Sequence, residues 1–159
     1  MPSDFLLLGI LIVIVVLGSA LCSGVEAALL TVNPLRVHEL AAESQSLRKG
    51  KRARRLARLR QKLGRTLTVL VIANNGFNIF GSLMLGGFAA FVFEQRNISG
   101  VALPLFSIGL TIFVIILGEI VPKSIGSRFA IQVSLASAPI LHLISILMRP
   151  LLLLLEKLL

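Results

Sequence analysis

The chain has 159 residues, of which 56% are hydrophobic, and it carries a net charge of +9 with no Trp, no Tyr and a single Cys. Soluble domains are about 45–50% apolar by a comparable count, so this composition indicates a membrane protein. One cysteine, Cys22, excludes a disulfide framework and a thiolate metal site.

Three stretches are apolar enough to cross a bilayer. Residues 5–25, 66–93 and 98–118 contain no charged side chain, and about 20 apolar residues cross a hydrocarbon core of roughly 30 Å. We therefore predict spans over about 5–32, 66–93 and 100–126 within a single transmembrane domain, 1–159. The N-terminus has no positively charged region, which argues for a retained first span and against a cleaved signal peptide.

The positive charge is concentrated between the first two predicted spans. Eleven Lys/Arg lie in 36–65, against one, Arg96, in the link between the second and third spans. The positive-inside rule then predicts a multi-pass protein of the inner (plasma) membrane, with the N-terminus outside and the C-terminus cytoplasmic. Nucleic acid is disfavoured as a partner because no aromatic residues interleave with the charges.

Within this basic segment, Leu56, Leu59 and Leu63 share one face of a predicted juxtamembrane helix. Such a helix either lies on the anionic inner leaflet or serves only as a topology signal. Residues 130–159 are apolar but are interrupted by His142, the pair Arg149-Pro150 and the pair Glu156-Lys157. We predict a broken helix along the inner interface there, with a fourth span as the alternative.

The predicted fold class is therefore an all-α polytopic membrane protein. It has three transmembrane helices, the third of them kinked, together with a basic juxtamembrane helix and a C-terminal interfacial helix. A ladder of small residues, Ser82, Gly86 and Ala90, predicts a helix-packing seam suited to dimerisation.

Each predicted span carries small polar side chains, and within a span they share one helical face. They are Ser19, Ser23 and Glu26 in the first, Asn74 and Asn78 in the second, and Glu119 in the third. Hydroxyl, amide and carboxylate oxygens suit hard cations such as Mg²⁺, Ca²⁺ and Na⁺, and not zinc or copper. Hydrogen bonding between helices is the alternative role for Ser and Asn, but a membrane-embedded Glu is costly and indicates function. Glu26 lies nearer the cytoplasmic end, where it could cap the helix or face water.

Pro122 predicts a break in the third span. Proline lacks the N–H that would bond the carbonyl four residues earlier, which is that of Gly118. A freed carbonyl next to Glu119 would add a ligand, as in the broken helices of transporters, and the kink would act as a hinge. Lys123 can reach the interface and balance Glu119 when the site is empty.

Three segments together resemble a known family. They are "SALCSGVEAALLTVN" (19–33), "IANNGFNI" (72–79) and "GEIVPKSIG" (118–126), and they are similar to motifs of the transmembrane domain of the CNNM/CorC magnesium transporters. The resemblance covers essentially the whole chain.

It implies Na⁺-coupled Mg²⁺ export by a homodimer, with Mg²⁺ bound inside each helix bundle. The ligands it implies are Ser19, Ser23, Asn74, Asn78, the Gly118 carbonyl and Glu119. One departure is Ala73, where the family has Gly.

The family's cytosolic CBS pair, which binds ATP, is not in this sequence, so the expectation is the membrane module alone without nucleotide regulation. Enzyme chemistry is unsupported because no His accompanies Ser19 or Ser23 as a general base. Two other functions stay open at this point. One is a membrane anchor or scaffold whose basic segment binds anionic lipid or a partner. The other is a Na⁺ or Ca²⁺ carrier with the same ligands.

Overall fold

The computed structural model describes residues 2–43, 47–98 and 100–148, and the described residues are almost entirely helical, with no strand among them. The helices are α1 (Pro2–Thr31), α2 (Pro34–Glu43), α3 (Leu47–Gln61), α4 (Leu63–Gln95), α5 (Ala102–Phe113), a π-helical segment (Val114–Ile120), α6 (Val121–Arg128) and α7 (Ala130–Leu147). The predicted all-α class is confirmed.

Four helical stretches are long and apolar enough to cross a membrane: Ser3–Thr31, Leu63–Gln95, Ala102–Arg128 and Ala130–Leu147. The predicted count of three is therefore not confirmed, since α7 also qualifies by length and composition. The physical reason is that α7 itself carries no Asp, Glu, Lys or Arg. The charges that favoured an interfacial tail, Arg149, Glu156 and Lys157, lie outside the described residues.

The third apolar stretch changes its helical type along its length. Between α5 and α6 the chain is π-helical, and the N–H of Val121 bonds the carbonyl of Ile116, five residues earlier. Pro122 then occupies the first turn of α6, where a missing N–H is tolerated. The irregularity expected at Pro122 is thus a seven-residue π-helical segment that precedes it.

The described chain divides into two compact units. The first comprises Met1–Ser23 and Ala73–Pro122, and the second Gly24–Ile72 and Lys123–Leu159. In the first unit, Leu8 and Val15 of α1 are buried against Leu85 and Ala89 of α4. An ion pair of 3.3 Å between Asp4 and Arg96 joins α1 to the residues that follow α4.

In the second unit, the apolar face of α3 is buried inside the protein. Leu56 and Leu59 are 0% and 7% exposed, and they pack with Leu29 of α1 and with Ala138 and Leu141 of α7. The periodicity of the leucines therefore predicted the amphipathic helix correctly. Its apolar face, however, packs against other helices and does not rest on lipid.

Two polar contacts fix α3 in this position. A guanidinium nitrogen of Arg60 donates to the carbonyl oxygens of Leu29, at 3.0 Å, and Val32. These carbonyls lie at the C-terminal end of α1, where backbone acceptors lack helical partners and a positive charge is favourable. The hydroxyl of Thr66 donates to the Leu59 carbonyl at 3.1 Å and secures the turn into α4.

The packing of α3 can be tested by truncating one leucine. We expect Leu56→Ala to lower the free energy of unfolding by about 2–5 kcal/mol, because the side chain leaves a cavity in a packed cluster. Chemical denaturation of the purified protein measures the change. Leu35→Ala is the matched control, since Leu35 is 72% exposed and its truncation should cost less than about 0.5 kcal/mol. Equal costs for the two variants would contradict the packing described for α3.

Candidate cation site

Ser19 of α1 is the residue around which the polar groups of the first unit gather. Its side chain is 0% exposed, and its Oγ lies 3.0 Å from Asn74 Oδ1 and 3.3 Å from the carbonyl oxygen of Gly118. One side chain thus contacts α4 and the π-helical segment at the same time. Three of the residues predicted from sequence are therefore neighbours.

The Ser19 hydroxyl has two acceptor oxygens within reach but only one proton to donate. A hydroxyl carries a single proton, so it can donate to Asn74 or to Gly118 but not to both at once. The single Ser19 proton is therefore shared between the Asn74 amide oxygen and the Gly118 carbonyl oxygen. A cation at this position would satisfy the remaining lone pairs.

Small residues allow the helices to approach closely enough for these contacts. A Cβ on Gly18 would overlap the ring of Phe77, and one on Gly81 would come within 2.6 Å of Val15. At Gly118 a Cβ would lie 3.3 Å from Ser19 Oγ, so the missing side chain leaves the Gly118 carbonyl accessible to the hydroxyl. The local backbone approach is therefore part of the site.

Two further oxygens, Ser23 Oγ and Asn78 Oδ1, are buried and have no hydrogen-bond partner among the described residues. Leaving a buried polar atom unsatisfied costs about 1–3 kcal/mol. Each of these two oxygens therefore lowers the free energy of unfolding. Such atoms are candidates for cation ligands.

Ser23 and Asn78 each lie about one helical turn from the contact between Ser19 and Asn74. The pairs Gly18–Phe77 and Val15–Gly81 show that α1 and α4 run antiparallel. Ser23 and Asn78 each follow a member of the Ser19–Asn74 pair by four residues, about 6 Å along its own helix, and so lie on opposite sides of that pair. Because helical side chains tilt toward the N-terminus of their own helix, both lean back toward it.

A cavity of about 310 Å³ adjoins this cluster in the first unit. Its polar lining consists of Ser19, Asn78, Ser82, Thr111 and Glu119. Its remaining lining is apolar and comes from Val15, Leu85, Leu110, Val114 and Ile115. The space exceeds what one water requires, so a partly hydrated cation fits next to Glu119.

Two of the lining residues were not predicted as part of a site. Ser82 was interpreted as part of a packing seam, and Thr111 was not singled out. Both hydroxyls donate within their own helices, to the carbonyls of Ile79 at 3.0 Å and Ser107 at 2.8 Å. The sequence signal for Thr111 was weak, because it lies eight residues before Glu119 and thus about 80° away around an α-helix.

The other predicted residues occupy distinct places. Glu119 belongs to the π-helical segment and is half-buried, and Pro122 is half-buried in the first turn of α6. Glu26, expected to cap the helix or face water, and Lys123, expected to balance Glu119, belong to the second unit and are half-buried there. Across residues 2–43, 47–98 and 100–148, no group of three or more His, Cys, Asp or Glu could hold a metal ion. A cation bound in the first unit would therefore rely mainly on neutral oxygens.

Comparison with known proteins agrees with this membrane architecture. A family profile, the cyclin M transmembrane N-terminal domain (CNNM), matches residues 10–159. The chain is 35% identical over 146 residues to the UPF0053 protein sll1254 of Synechocystis sp., covering 92% of this chain and 39% of that protein. It is 28% identical over 133 residues to the UPF0053 inner membrane protein YfjD of Escherichia coli, covering 84% of this chain and 29% of that protein. The chain thus spans less than half the length of either relative. With its apolar helices, it is a multi-pass membrane protein.

Two serines on the same helix provide a test of the unsatisfied oxygens. In cation-free buffer, Ser23→Ala should leave the free energy of unfolding unchanged or raise it by about 1 kcal/mol, because it removes a buried hydroxyl that has no partner. Ser19→Ala should lower it by about 0.5–1.5 kcal/mol, because that hydroxyl donates a hydrogen bond. Denaturant titration of both variants measures the difference. Equal losses of stability would contradict the assignment of Ser23 as an unsatisfied group.

Proposed function

Since the chain belongs to the family of cyclin M transmembrane N-terminal domains, we propose that it is the membrane module of a transporter that exports Mg²⁺ in exchange for Na⁺. The profile match confirms the resemblance found in the three sequence motifs. The observation that carries the proposal is the oxygen cluster around Ser19, where two acceptors share one proton, with the two unsatisfied oxygens near it.

The number and type of oxygens support Mg²⁺ as the transported ion. Mg²⁺ prefers six oxygen ligands in octahedral arrangement at about 2.0–2.1 Å. Six groups are available in the first unit: the side chains of Ser19, Ser23, Asn74, Asn78 and Glu119, and the carbonyl of Gly118. In the proposed bound state these oxygens replace water molecules of the hydrated ion, and the cavity beside Glu119 holds the ion while water is exchanged.

A single carboxylate suits transport better than permanent storage. Conduction requires binding that is favourable enough to admit the ion and weak enough to release it. Glu119 would neutralise half the charge of Mg²⁺, while the serine and asparagine oxygens contribute dipoles only. The same oxygens accept Na⁺, so the proposed exchange can use one site in turn. A Ca²⁺ or Na⁺ carrier with these ligands is the alternative within the transporter class.

The π-helical segment supplies the proposed moving part. It carries both Gly118 and Glu119, and π-helical turns inside α-helices occur often at functional sites. A local return to α-helical bonding would rotate both groups relative to Ser19 and change the ligand set. Pro122 would set the end of the segment, while Lys123 and Glu26 would act at the cytoplasmic side.

We also propose that three of the four candidate helices span the membrane and that α7 lies at the inner interface. The support is the contact of α7 with α3, a helix with eight Lys/Arg that cannot enter hydrocarbon at low cost. The basic segment then faces the cytoplasm and the N-terminus the outside. The relative YfjD is named as an inner membrane protein, which supports the same membrane for this chain.

A homodimer remains part of the proposal. Its support is the ladder of Ser82, Gly86 and Ala90 on α4, a pattern that lets helix backbones approach each other. A Cβ placed on Gly86 meets no atom within 4 Å, so this position has room for a second helix.

The transport proposal can be tested by ion flux. The protein is reconstituted in liposomes that contain a Mg²⁺-sensitive dye, and a Na⁺ gradient is imposed. Wild-type protein should move Mg²⁺ in the direction opposite to the flow of Na⁺. Glu119→Gln should abolish this flux because the carboxylate of the cluster is lost. Glu94→Gln is the matched control, since Glu94 is exposed near the end of α4. Equal flux in Glu119→Gln and wild type would refute the proposed role of Glu119 and favour the anchor interpretation.

A further inference from the structure

The outward face of α3 carries a dense cluster of positive charge. The helix contains eight Lys/Arg and no acidic residue in Leu47–Gln61. Its buried side is formed by Gly50, Ala53, Leu56 and Leu59. Its exposed side consists of seven cations: Arg48, Lys49, Lys51, Arg52, Arg54, Arg55 and Arg58.

These seven cations are not neutralised by the part of the chain that the structure describes. No ion pair is recorded there for any of them, and the nearby carboxylate of Glu39 pairs with Arg36 at 2.9 Å. Arg60, the eighth cation, is directed inward to the end of α1. Seven like charges on one exposed helix repel one another, so the surface is suited to an anionic ligand with repeated charges.

The contacts of α3 hold this surface close to the membrane boundary. Arg60 ties α3 to the Leu29 carbonyl, two residues before the end of the apolar helix α1. On its other side α3 is followed at once by α4, whose uncharged stretch begins at Thr66. Arg58, at the C-terminal end of the exposed surface, precedes Thr66 by eight residues, which corresponds to about 12 Å at the rise of an α-helix. Phosphate headgroups occupy the layer of several ångströms just outside the hydrocarbon.

We propose that the exposed face of α3 binds the phosphate groups of anionic lipids, and that it does so by charge alone. An ordinary amphipathic helix inserts its apolar face into the bilayer, but in this protein that face is already packed against α1 and α7. Binding should therefore depend on headgroup charge and on ionic strength. A lipid is favoured over a soluble polyanion because α3 is held between two membrane-spanning segments, where anionic headgroups are always present at high local concentration.

The test uses the full chain in mixed micelles of neutral detergent with dioleoylphosphatidylglycerol or dioleoylphosphatidylcholine. Lipids bound per protein are counted by native mass spectrometry at low and at high NaCl. Wild-type protein should retain phosphatidylglycerol in preference to phosphatidylcholine, and the preference should fall at high salt. The double variant Arg52→Gln, Arg55→Gln should weaken phosphatidylglycerol binding roughly tenfold or more.

Two controls separate this surface from net charge. Arg36→Gln with Arg128→Gln removes the same number of exposed arginines from other helices and should leave binding unchanged. Arg52→Lys with Arg55→Lys keeps the charge and should also preserve it. Because both α3 positions are exposed, thermal unfolding should match wild type in every variant.

Three results would overturn the proposal: equal retention of the two lipids, an equal loss in the Arg36 and Arg128 control, or displacement of phosphatidylglycerol by inorganic phosphate at constant ionic strength. The last would identify a soluble anion as the ligand. The outcome is independent of the cation site, because none of the three variants alters a residue of the first unit.

Discussion

The candidate cation site of this protein centres on the single proton of the Ser19 hydroxyl. Ser19 lies between the Asn74 amide oxygen and the Gly118 carbonyl and can satisfy only one of them at a time. In a soluble protein, water would supply the missing donor. Within apolar helices few other donors are available, so these are the lone pairs that the proposed cation would satisfy.

The features that create this surplus also limit the stability of the fold. Glycines bring α1, α4 and the π-helical segment close together, and the close approach buries Ser23 and Asn78 with oxygens that have no partner. Each of these oxygens costs free energy in the cation-free protein. Binding an ion would recover that cost, so in the proposed mechanism the affinity for the ion and the instability of the empty site have the same origin.

The sequence allowed three neighbours in the candidate site, Ser19, Asn74 and Gly118, to be singled out, because a polar residue in an apolar helix has few roles. The spacing of Ser19 from Ser23 and of Asn74 from Asn78 indicated shared faces, and the structure brings Ser19 to Asn74 and Gly118. The π-helical segment was not predictable, since Pro122 signals a break but the hydrogen-bond register upstream of it depends on packing. Periodicity likewise predicted an apolar face on α3, but only the fold shows that α1 and α7 cover it. Hydropathy alone also cannot separate a span from an interfacial helix for α7.

The claim that these oxygens bind a cation is tested most directly by calorimetric titration of the purified protein with Mg²⁺ in Na⁺-free buffer. Wild-type protein should bind Mg²⁺ saturably, and the heat of binding should vanish in Glu119→Gln while thermal unfolding confirms that the variant is folded. Absence of binding to folded wild-type protein, or equal binding by both proteins, would contradict the account.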